Sequence, residues 1–366
     1  MSWNWEKPEW PNFEWDRKRF SDLERNFAQI SSKISGTYRL LDESESKKFD
    51  IELLTSEALK TSEIEGEILR RDSVQSSIAK NFGLKPTVKA TKSEIGVANL
   101  LHDVFVNYAE PLSDEMLFKW HAELMADQTC MEDIGNYRSK PNYVISGPLG
   151  KETIHFEAPP AKRVEQEMNQ FIEWFNGTSP SGSNPLSTLT RSAIAHLYFV
   201  SIHPFVDGNG RIARALSEKC MSQSLNGPAL TSLSYTISEK RRDYYSALGI
   251  SNKDLEITDW IIYFNETAVA ALKRSIQLLE FVVAKTKLFD EVKKSINERQ
   301  KKVLIRMFAE GIKGFSGGLS TENYIKITGT SRATATRDLT SLTEMGALKR
   351  TGKLKSTRYH LAIETE

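Results

Sequence analysis

The sequence is poor in cysteine and has no long apolar run. Its two cysteines, Cys130 and Cys220, show no paired spacing, which argues against a disulfide framework and against a zinc site built from cysteines. A membrane span needs roughly 18 consecutive apolar residues, and the chain of 366 residues contains no such run. Its opening segment also lacks the basic and apolar regions of a signal peptide. We therefore expect a cytoplasmic protein with no membrane partner.

A large net charge is missing as well, because the whole chain carries only +1. The charge is nevertheless unevenly distributed. Residues 299–366 contain 13 Lys or Arg against 6 Asp or Glu, a net charge of +7, so the remainder of the chain is acidic. Such a basic module indicates a partner of its own, either nucleic acid or an acidic protein surface. The length of the chain also predicts two or three domains.

Strand-forming patterns are scarce. Before residue 340 the single one is a hairpin, with short runs at 143–145 and 153–156 bracketed by Gly and Pro. Apolar residues at helical spacing dominate the rest. The predicted helices cover the region 17–82 and the segments 93–108, 113–125, 163–175, 189–202, 212–225, 238–248 and 258–289. We predict an all-α fold class, a helical bundle with one small β-hairpin.

The basic C-terminal module is predicted to contain three helices followed by two strands. Helices at 300–309, 321–327 and 331–345 with strands at 347–350 and 356–361 are typical of a winged helix-turn-helix. A DNA-binding interpretation places Ser331, Arg332, Thr334 and Thr336 early on the recognition helix, and Lys353, Lys355 and Arg358 in a basic wing. A winged helix used for protein docking or dimerisation is an equal alternative.

The N-terminal segment is rich in aromatic residues, namely Trp3, Trp5, Trp10, Phe13 and Trp15. Pro8 and Pro11 interrupt it, so it is not a regular helix throughout. We interpret the rings as anchors that pack this segment onto the body of the protein. A stacking platform for nucleic acid is less favoured, because several acidic residues lie among the rings.

The strongest chemical pattern is the string HPFVDGNGRIAR at residues 203–214. Its glycines let the backbone turn with exposed amides, and the helix N-terminus that follows carries a partial positive charge, so the loop is suited to bind phosphate. Arg211 and Arg214 are three positions apart and share a helix face, from which both can reach one polyphosphate. Asp207 beside that anion calls for a bridging divalent cation, and Mg²⁺ is the natural choice.

A histidine precedes this loop. His203 can serve as a general base, because an imidazole with an ordinary pKa of about 6.5 is well populated in its neutral form near neutral pH. Phe205 is interpreted as an apolar anchor for the loop, and His196 as a structural histidine of the preceding helix.

The same string matches the pattern HxFx[DE]GNGRxxR and therefore resembles the Fic family. The resemblance implies a Fic-type helical bundle that transfers AMP from ATP to a Tyr, Thr or Ser hydroxyl of a target protein, the enzyme itself included. It implies that His203 deprotonates the hydroxyl, that Asp207 holds Mg²⁺ and that Arg214 reaches the γ-phosphate. The α- and β-phosphates would be bound by Asn209, Arg211 and the loop amides, including those of Gly208 and Gly210.

The resemblance extends to segments outside the loop. The hairpin resembles the family's flap, whose edge aligns the target as an added strand, with Val144, Ile145, Ser146 and Gly147 along the nucleotide and target. Tyr244, Tyr245 and Asn252 match positions that contact the adenosine in related proteins, although two adjacent tyrosines on a helix are also common in cores. Glycine at position 210 favours AMP transfer over phosphoryl transfer, since relatives with lysine there act as kinases.

A control element precedes the catalytic segment. Residues 61–66, TSEIEG, fit the pattern [ST]xxxE[GN] of the Fic inhibitory helix, in which the glutamate, here Glu65, pairs with the second arginine of the loop, here Arg214. Ser62 and Glu65 also fit a capping box that would start a new helix. The apolar period runs unbroken from Ile51 past residue 61, which favours the inhibitory interpretation.

The resulting domain prediction is an N-terminal helical region at 1–109 that carries the inhibitory helix, a Fic catalytic core at 110–290 and a winged helix at 291–366. The main functional hypothesis is an autoinhibited protein adenylyltransferase. One alternative is a DNA-binding regulator whose Fic core senses nucleotide. Another is a Fic transferase that uses UTP or a phosphocholine nucleotide. Homodimers are common among Fic proteins, so we expect one here.

Overall fold

The computed structural model describes residues 2–147, 153–311, 314, 315 and 317–363, with the side chain of Lys355 excepted. By packing, the chain divides into two compact units, one made of Met1–Leu40 and Asp50–Ser275 and the other of Leu41–Phe49 and Ile276–Glu366. None of the helices in the described ranges combines the length and the apolar composition that a bilayer span needs. The division into three domains at residues 110 and 291 stays a prediction.

The first unit is built from helices and one hairpin, which confirms the predicted fold class. Its helices are α1 Ser21–Arg39, α2 Glu43–Ile64, α3 Arg71–Asn81, α4 Lys92–Val106, α5 Asp114–Leu124, α6 Ala161–Gly177, α7 Thr188–Ile202, α8 Asn209–Leu225, α9 Leu233–Glu239, α10 Arg241–Ser251 and α11 Thr258–Val292. The hairpin strands are β1 Tyr143–Ser146 and β2 Thr153–Glu157. Helices α2 and α11 contribute residues to both units.

Helix α7 forms the centre of this unit. Every residue from Leu189 to Ile202 is buried, as expected for a central helix, and polar side chains in this stretch, such as Arg191 and His196, are hydrogen-bonded inside the protein. Its neighbour α8 is buried along most of its length. Both ends of the loop that joins α7 to α8 are therefore anchored in buried helices. His196 on α7 hydrogen-bonds Tyr244 Oη through Nε2 at 2.8 Å and is fully buried, which confirms its structural interpretation.

Local sequence signals set several helix ends. Ser113 caps α5 as predicted, with its Oγ accepting from the Met116 N–H at 3.3 Å. The single helix predicted at 238–248 is wrong, because α9 and α10 are separated at Lys240. Lys240 has φ −126° and ψ 41°, which no α-helix accommodates, and its side chain gives no breaker signal.

The N-terminal aromatics pack onto the body, as predicted. The Trp3 ring meets Phe156 edge-on at 5.1 Å, and the Trp10 ring meets Tyr198 at 5.2 Å. Trp5 Nε1 donates to the Glu157 carbonyl at 2.7 Å and Trp10 Nε1 to Glu167 Oε2 at 2.7 Å, whereas Trp15 Nε1 is buried without a partner. These contacts connect the N-terminal segment to the hairpin and to α7.

The hairpin pairs antiparallel, with Val144 opposite Phe156 and Ile145 opposite Ile154. The register shifts between Val144 and Ile145, which marks a bulge. Phe156 is buried, whereas the other strand residues are exposed. Residues 148–152, the tip of the predicted flap, lie outside the described part of the chain.

The second unit contains the predicted order of elements. Its helices are α12 Glu298–Ala309, α13 Thr321–Thr328 and α14 Arg332–Glu344, followed by β3 Leu348–Thr351 and β4 Arg358–Leu361, which pair antiparallel. The buried carboxylate of Asp338 holds three elements together, accepting from Arg299 Nε at 2.9 Å, Tyr324 Oη at 2.9 Å and Asn297 Nδ2 at 3.1 Å. The winged-helix interpretation of this order stays a prediction.

Candidate active site

The predicted catalytic loop lies between the C-terminus of α7 and the N-terminus of α8. His203 ends α7 with φ 52°, and Gly208 precedes α8 with φ 80°. Both values are in the left-handed region, so the chain turns sharply at each end of the loop. The φ of Gly208 favours glycine there, and a Cβ at this position would lie 3.0 Å from Met125 Cε, a contact that the methionine side chain would have to relieve.

Two side chains keep this loop in shape. Asn209 donates from Nδ2 to the Phe205 carbonyl at 2.8 Å and accepts the Phe205 N–H on Oδ1 at 3.0 Å. The Asn209 amide is therefore occupied by the loop backbone. Phe205 is fully buried and stacks on His121 with ring centres 4.2 Å apart, which confirms its interpretation as an apolar anchor.

The imidazole of His203 is held in one orientation. Its Nδ1 lies 3.2 Å from the Val200 carbonyl, an acceptor, so the neutral ring carries its proton on Nδ1 and leaves Nε2 as a proton acceptor. Burial lowers the pKa of His203 to about 4, and the nearby Arg138 charge contributes in the same direction. The ring is therefore neutral at pH 7, the state that a general base requires.

Arg138 fixes the backbone around His203. Its guanidinium donates from Nε to the His203 carbonyl at 2.8 Å, from Nη1 to the Lys140 carbonyl at 3.0 Å and from Nη2 to the Pro159 carbonyl. Because Lys140 and Pro159 flank the hairpin, one buried side chain connects the hairpin base to the end of α7. Burial lowers the pKa of Arg138 to about 10, so it stays charged at pH 7.

Arg211 and Arg214 project from the first turns of α8. Arg214 donates from Nε to Thr61 Oγ1 at 2.8 Å and from Nη2 to the Thr61 carbonyl at 2.9 Å. Its Nη2 also contacts Glu65 Oε1 at 2.7 Å, so the predicted partner is in place. Burial opposes the charge of Arg214, but the Glu65 carboxylate raises the pKa above its usual value. The Nη1 atom is buried without a partner, which leaves a donor for a further anion.

Arg211 has a carboxylate partner that the sequence analysis missed. Its Nη1 lies 2.9 Å from Glu67 Oε2, and its Nη2 lies 3.5 Å from Asp207 Oδ2. The Nε atom is buried without a partner. The two arginines therefore each keep an unused donor in the cradle at the start of α8.

Asp207 is the half-exposed carboxylate of the loop, with 56 % of its side chain accessible. The described residues contain no group of three or more His, Cys, Asp or Glu that could hold a metal ion by themselves. Mg²⁺, however, is commonly bound by one or two carboxylates together with substrate phosphates and water. A single accessible carboxylate beside an arginine-lined cradle fits that mode.

Helix α2 excludes the capping-box interpretation. The helix continues to Ile64, so Ser62 lies inside it and starts no new helix. The Ser62 Oγ is buried and has no hydrogen-bond partner, whereas a cap would accept a backbone N–H.

The residues predicted to contact adenosine lie in three different environments. Tyr245 reaches the site, with its hydroxyl 3.2 Å from the Ile64 carbonyl and 3.4 Å from Glu65 Oε2. Tyr244 is buried behind it against His196. Asn252 is buried and accepts on Oδ1 from Ser201 Oγ at 3.3 Å, while its carbonyl accepts from the Asn4 N–H.

The hairpin residues predicted to lie along the nucleotide and target are accessible. Val144 is 37 % exposed and Ile145 53 %, and Ser146 Oγ lies 2.5 Å from His155 Nε2. Gly147 has φ 106°, at the end of β1. The buried Phe156 ring lies 6.3 Å from the His203 ring, so the hairpin base adjoins the imidazole.

Sequence reasoning did not identify Glu67 or the two contacts of Thr61. A local signal existed for Glu67, because the run Glu-Gly-Glu at the end of an apolar helix places a second carboxylate directly after a chain reversal at glycine. The Thr61 contacts had no such signal beyond the motif itself.

Comparison with known proteins finds relatives for two segments of the chain. Residues 3–84 match a domain of unknown function, DUF4172, and residues 111–221 match the Fic/DOC family. Protein adenylyltransferase fic-1 of Caenorhabditis briggsae is 31 % identical over 168 residues, 45 % of this chain and 31 % of that protein. Its namesake in Caenorhabditis elegans is 31 % identical over 113 residues, 31 % of this chain and 20 % of that protein. The alignments thus span about a third or less of these relatives.

The fold has a solved counterpart. A Fic family protein from Desulfovibrio desulfuricans G20 aligns over 96 % of this chain and 98 % of its own, with a TM-score of 0.55 and 19 % sequence identity. At that identity the likeness concerns the fold. The segment that carries the loop, its histidine and both arginines is therefore a Fic/DOC family domain, preceded in this chain by a DUF4172 region.

Proposed function

We propose that this protein is an autoinhibited protein adenylyltransferase, which transfers AMP from ATP to a Tyr, Thr or Ser hydroxyl of a protein, its own chain included. The observation that carries the proposal is the placement of two arginines on one face of α8, after a loop that begins with a neutral, oriented histidine. The relatives named protein adenylyltransferase support the same activity.

The chain's own residues have the following parts in the reaction. His203 Nε2 accepts the proton of the target hydroxyl as its oxygen attacks the α-phosphorus, and the bond to the β-phosphate oxygen breaks to release pyrophosphate. Arg211 and Arg214 stabilise the negative charge on the phosphates, together with N–H groups at the start of α8 such as that of Gly210. The Gly208 N–H donates to Asp207 Oδ1 at 2.6 Å in the structure, so it joins them only when that bond is released. Asp207 would hold Mg²⁺, which would supply further charge neutralisation.

Asn209, in this proposal, acts by keeping the loop in its anion-binding shape. The exposed edge of β1 from Val144 to Gly147 aligns the target as an added strand. Tyr245 contributes an adenosine contact, while Tyr244 and Asn252 support the wall behind it.

The resting state is proposed to be inhibited by Glu65. Its carboxylate contacts Arg214, the residue assigned to the γ-phosphate, at 2.7 Å. A phosphate and a carboxylate cannot both hold that guanidinium edge without like-charge repulsion, so ATP binds unproductively until Glu65 leaves.

The test is incubation of the purified protein with ATP labelled at the α-phosphate and Mg²⁺. Glu65→Gly should label the protein or an added target more strongly than the wild type does, and His203→Ala in the same background should abolish labelling. Transfer of label from γ-labelled ATP, or labelling that survives His203→Ala, would contradict AMP transfer by this site.

A second candidate function is regulation through DNA binding, and the exposed face of α14 favours it. Arg332, Ala333, Thr336, Arg337 and Thr340 are exposed along one side of that helix. Small residues beside two arginines suit close approach to a major groove. Thr334 lies partly buried at the helix start, where its N–H donates to Ser331 Oγ, and the Lys355 side chain lies outside the described residues.

This candidate is tested with the full chain and fluorescent duplex DNA at low and moderate salt. Arg337→Ala should weaken binding, whereas Lys253→Ala, which removes an exposed charge from the other unit, should not. Affinity that falls about tenfold or more between 50 and 200 mM salt would agree with phosphate contacts. Absence of binding at low salt would reject the candidate and leave protein docking as the use of the unit.

Other parts of the functional hypothesis stay predictions. These are the homodimer, the cytoplasmic location and ATP as donor rather than UTP or a phosphocholine nucleotide. A nucleotide competition panel distinguishes the donors.

A further inference from the structure

The C-terminus of α2 carries two carboxylates on either side of one glycine. The Gly66 N–H donates to the Glu63 carbonyl at 3.0 Å, and the Glu67 N–H donates to the Ser62 carbonyl at 3.0 Å. With φ 88° at Gly66, this is the Schellman pattern that ends many helices. The reversal at Gly66 brings Glu65 and Glu67, two positions apart in sequence, to the same neighbour, α8.

Each carboxylate meets one arginine of the loop motif. Glu65 Oε1 lies 2.7 Å from Arg214 Nη2, and Glu67 Oε2 lies 2.9 Å from Arg211 Nη1. The two arginines share a face of α8, since they are three positions apart. Both guanidinium groups are nearly inaccessible, with 7 % of the Arg211 side chain and 2 % of the Arg214 side chain exposed. The carboxylates are more accessible, with 34 % of the Glu67 side chain and 27 % of the Glu65 side chain exposed, so water screens each pair only in part.

Glu67 is held in place from its other side. Its Oε1 accepts a hydrogen bond from Ser93 Oγ near the start of α4. The next part of the same connection is also tied to α4, because the Arg70 N–H donates to Glu94 Oε1 at 3.1 Å. Glu67 is thus positioned toward Arg211 by the body of the protein as well as by α2.

Glu67 opposes phosphate binding at Arg211, even though the Nε atom of Arg211 is unpaired. Its guanidinium already lies beside two carboxylates, those of Glu67 and Asp207. A third anion in this buried place would be repelled by both. The assigned phosphate and the Glu67 carboxylate therefore compete at Arg211.

We propose that Glu67 is a second inhibitory carboxylate, which competes with the nucleotide polyphosphate for Arg211 as Glu65 does for Arg214. This inference rests on the proposed function, because it requires that the loop binds ATP. Removal of Glu65 alone then frees one arginine and leaves the other neutralised. A signal that displaces the turn at Gly66 frees both arginines at once.

The experiment measures binding, so that it does not depend on catalysis. Titration calorimetry compares ATP with Mg²⁺, inorganic tripolyphosphate and adenosine on Glu65→Gln, Glu67→Gln and the double variant. Glu63→Gln is the matched control, because Glu63 is exposed, lies in the same turn and pairs with Lys60. Glutamine keeps one oxygen for the Ser93 hydrogen bond, but it removes the charge and presents an NH2 donor in place of the oxygen that faces Arg211. Thermal unfolding of each variant confirms that it folds.

Glu67→Gln should tighten tripolyphosphate and ATP binding about tenfold, the equivalent of one charge-assisted contact, with adenosine unaffected. The double variant should bind more tightly than either single variant, and Glu63→Gln should match the wild type. Weaker or unchanged polyphosphate binding by Glu67→Gln, when Glu65→Gln binds more tightly, would overturn the inference and leave the proposed function intact. If ATP bound to none of these variants and Glu65→Gly transferred no label, the proposed function itself would fail.

Discussion

The Oε1 atom of Glu65 lies 2.7 Å from Nη2 of Arg214 and would lie only 2.2 Å from a Cβ atom at position 210. The bare Cα of Gly210 therefore provides the space in which this carboxylate reaches its arginine. The sequence motif explains this loop glycine by phosphate binding, and the structure shows that it also makes room for the Glu65 side chain.

Gly210→Ala should displace Glu65. Alanine is the better helix former by up to about 1 kcal/mol, so in the Glu65→Gly background the substitution should raise the free energy of unfolding. In the wild type the contact with Glu65 should offset that gain. A double-mutant cycle with Gly210→Ala and Glu65→Gly, in which urea denaturation gives the free energy of unfolding of each variant, measures the difference. Additive changes would show that position 210 and Glu65 do not interact.

Glu65→Gly should lower stability while it raises activity. Arg214 would be left buried without its carboxylate, although Thr61 still accepts two of its hydrogen bonds. We expect a loss of about 2 kcal/mol, less than for a fully buried pair because 27 % of the Glu65 side chain is exposed. Glu63→Gly is the control for the backbone effect of glycine. Equal losses in urea denaturation would mean that the pair contributes nothing measurable.

The pH dependence of transfer should reflect the depressed pKa of His203. The base must be neutral, so the rate should be constant from neutral pH downward and fall only as the pH drops through about 4, the pKa to which burial lowers this imidazole. Initial rates of the Glu65→Gly variant between pH 4.5 and 8 should therefore change little with pH. A half-maximal rate near pH 6.5 would show that the ring is solvated during turnover.

Arg138→Met should impair both folding and the rate of transfer. The variant keeps the length of the side chain but leaves the carbonyls of His203, Lys140 and Pro159 without their donor, at a cost of about 3 kcal/mol. Where the variant is folded, transfer should slow more than ATP binding weakens, since His203 loses its support. Lys140→Met is the matched control, because its exposed pair with Glu132 should contribute about 0–1 kcal/mol. A normal rate in folded Arg138→Met would exclude the positioning role.

Local sequence signals were sufficient for most of the fold. The apolar period of α7, the Ser113 cap of α5 and the Gly-bracketed runs of the hairpin each act within a few residues, so their effect is visible in the sequence. The break at Lys240 was not visible, because no residue there prevents helix formation and packing decides it.

The candidate site was predicted only in part. The loop string marked His203, Asp207 and the two arginines, and a short motif marked Glu65. The partner of Arg211 was not predicted, because Glu67 lies 144 positions away in the sequence and no periodicity connects the two. For Asn209 the motif predicted a phosphate contact. In the structure its side-chain amide is instead hydrogen-bonded to the Phe205 backbone, an interaction that the motif does not reveal.

The sequence by itself determined the residue types of the cradle, since turn-forming glycines, a helix start and two arginines at helical spacing are properties of a short segment. Tertiary structure alone decided which carboxylates occupy those arginines, which nitrogen of His203 is free and how far its pKa falls. Those properties depend on burial and on contacts between α2, α8 and the Arg138 segment, which only the folded chain brings together.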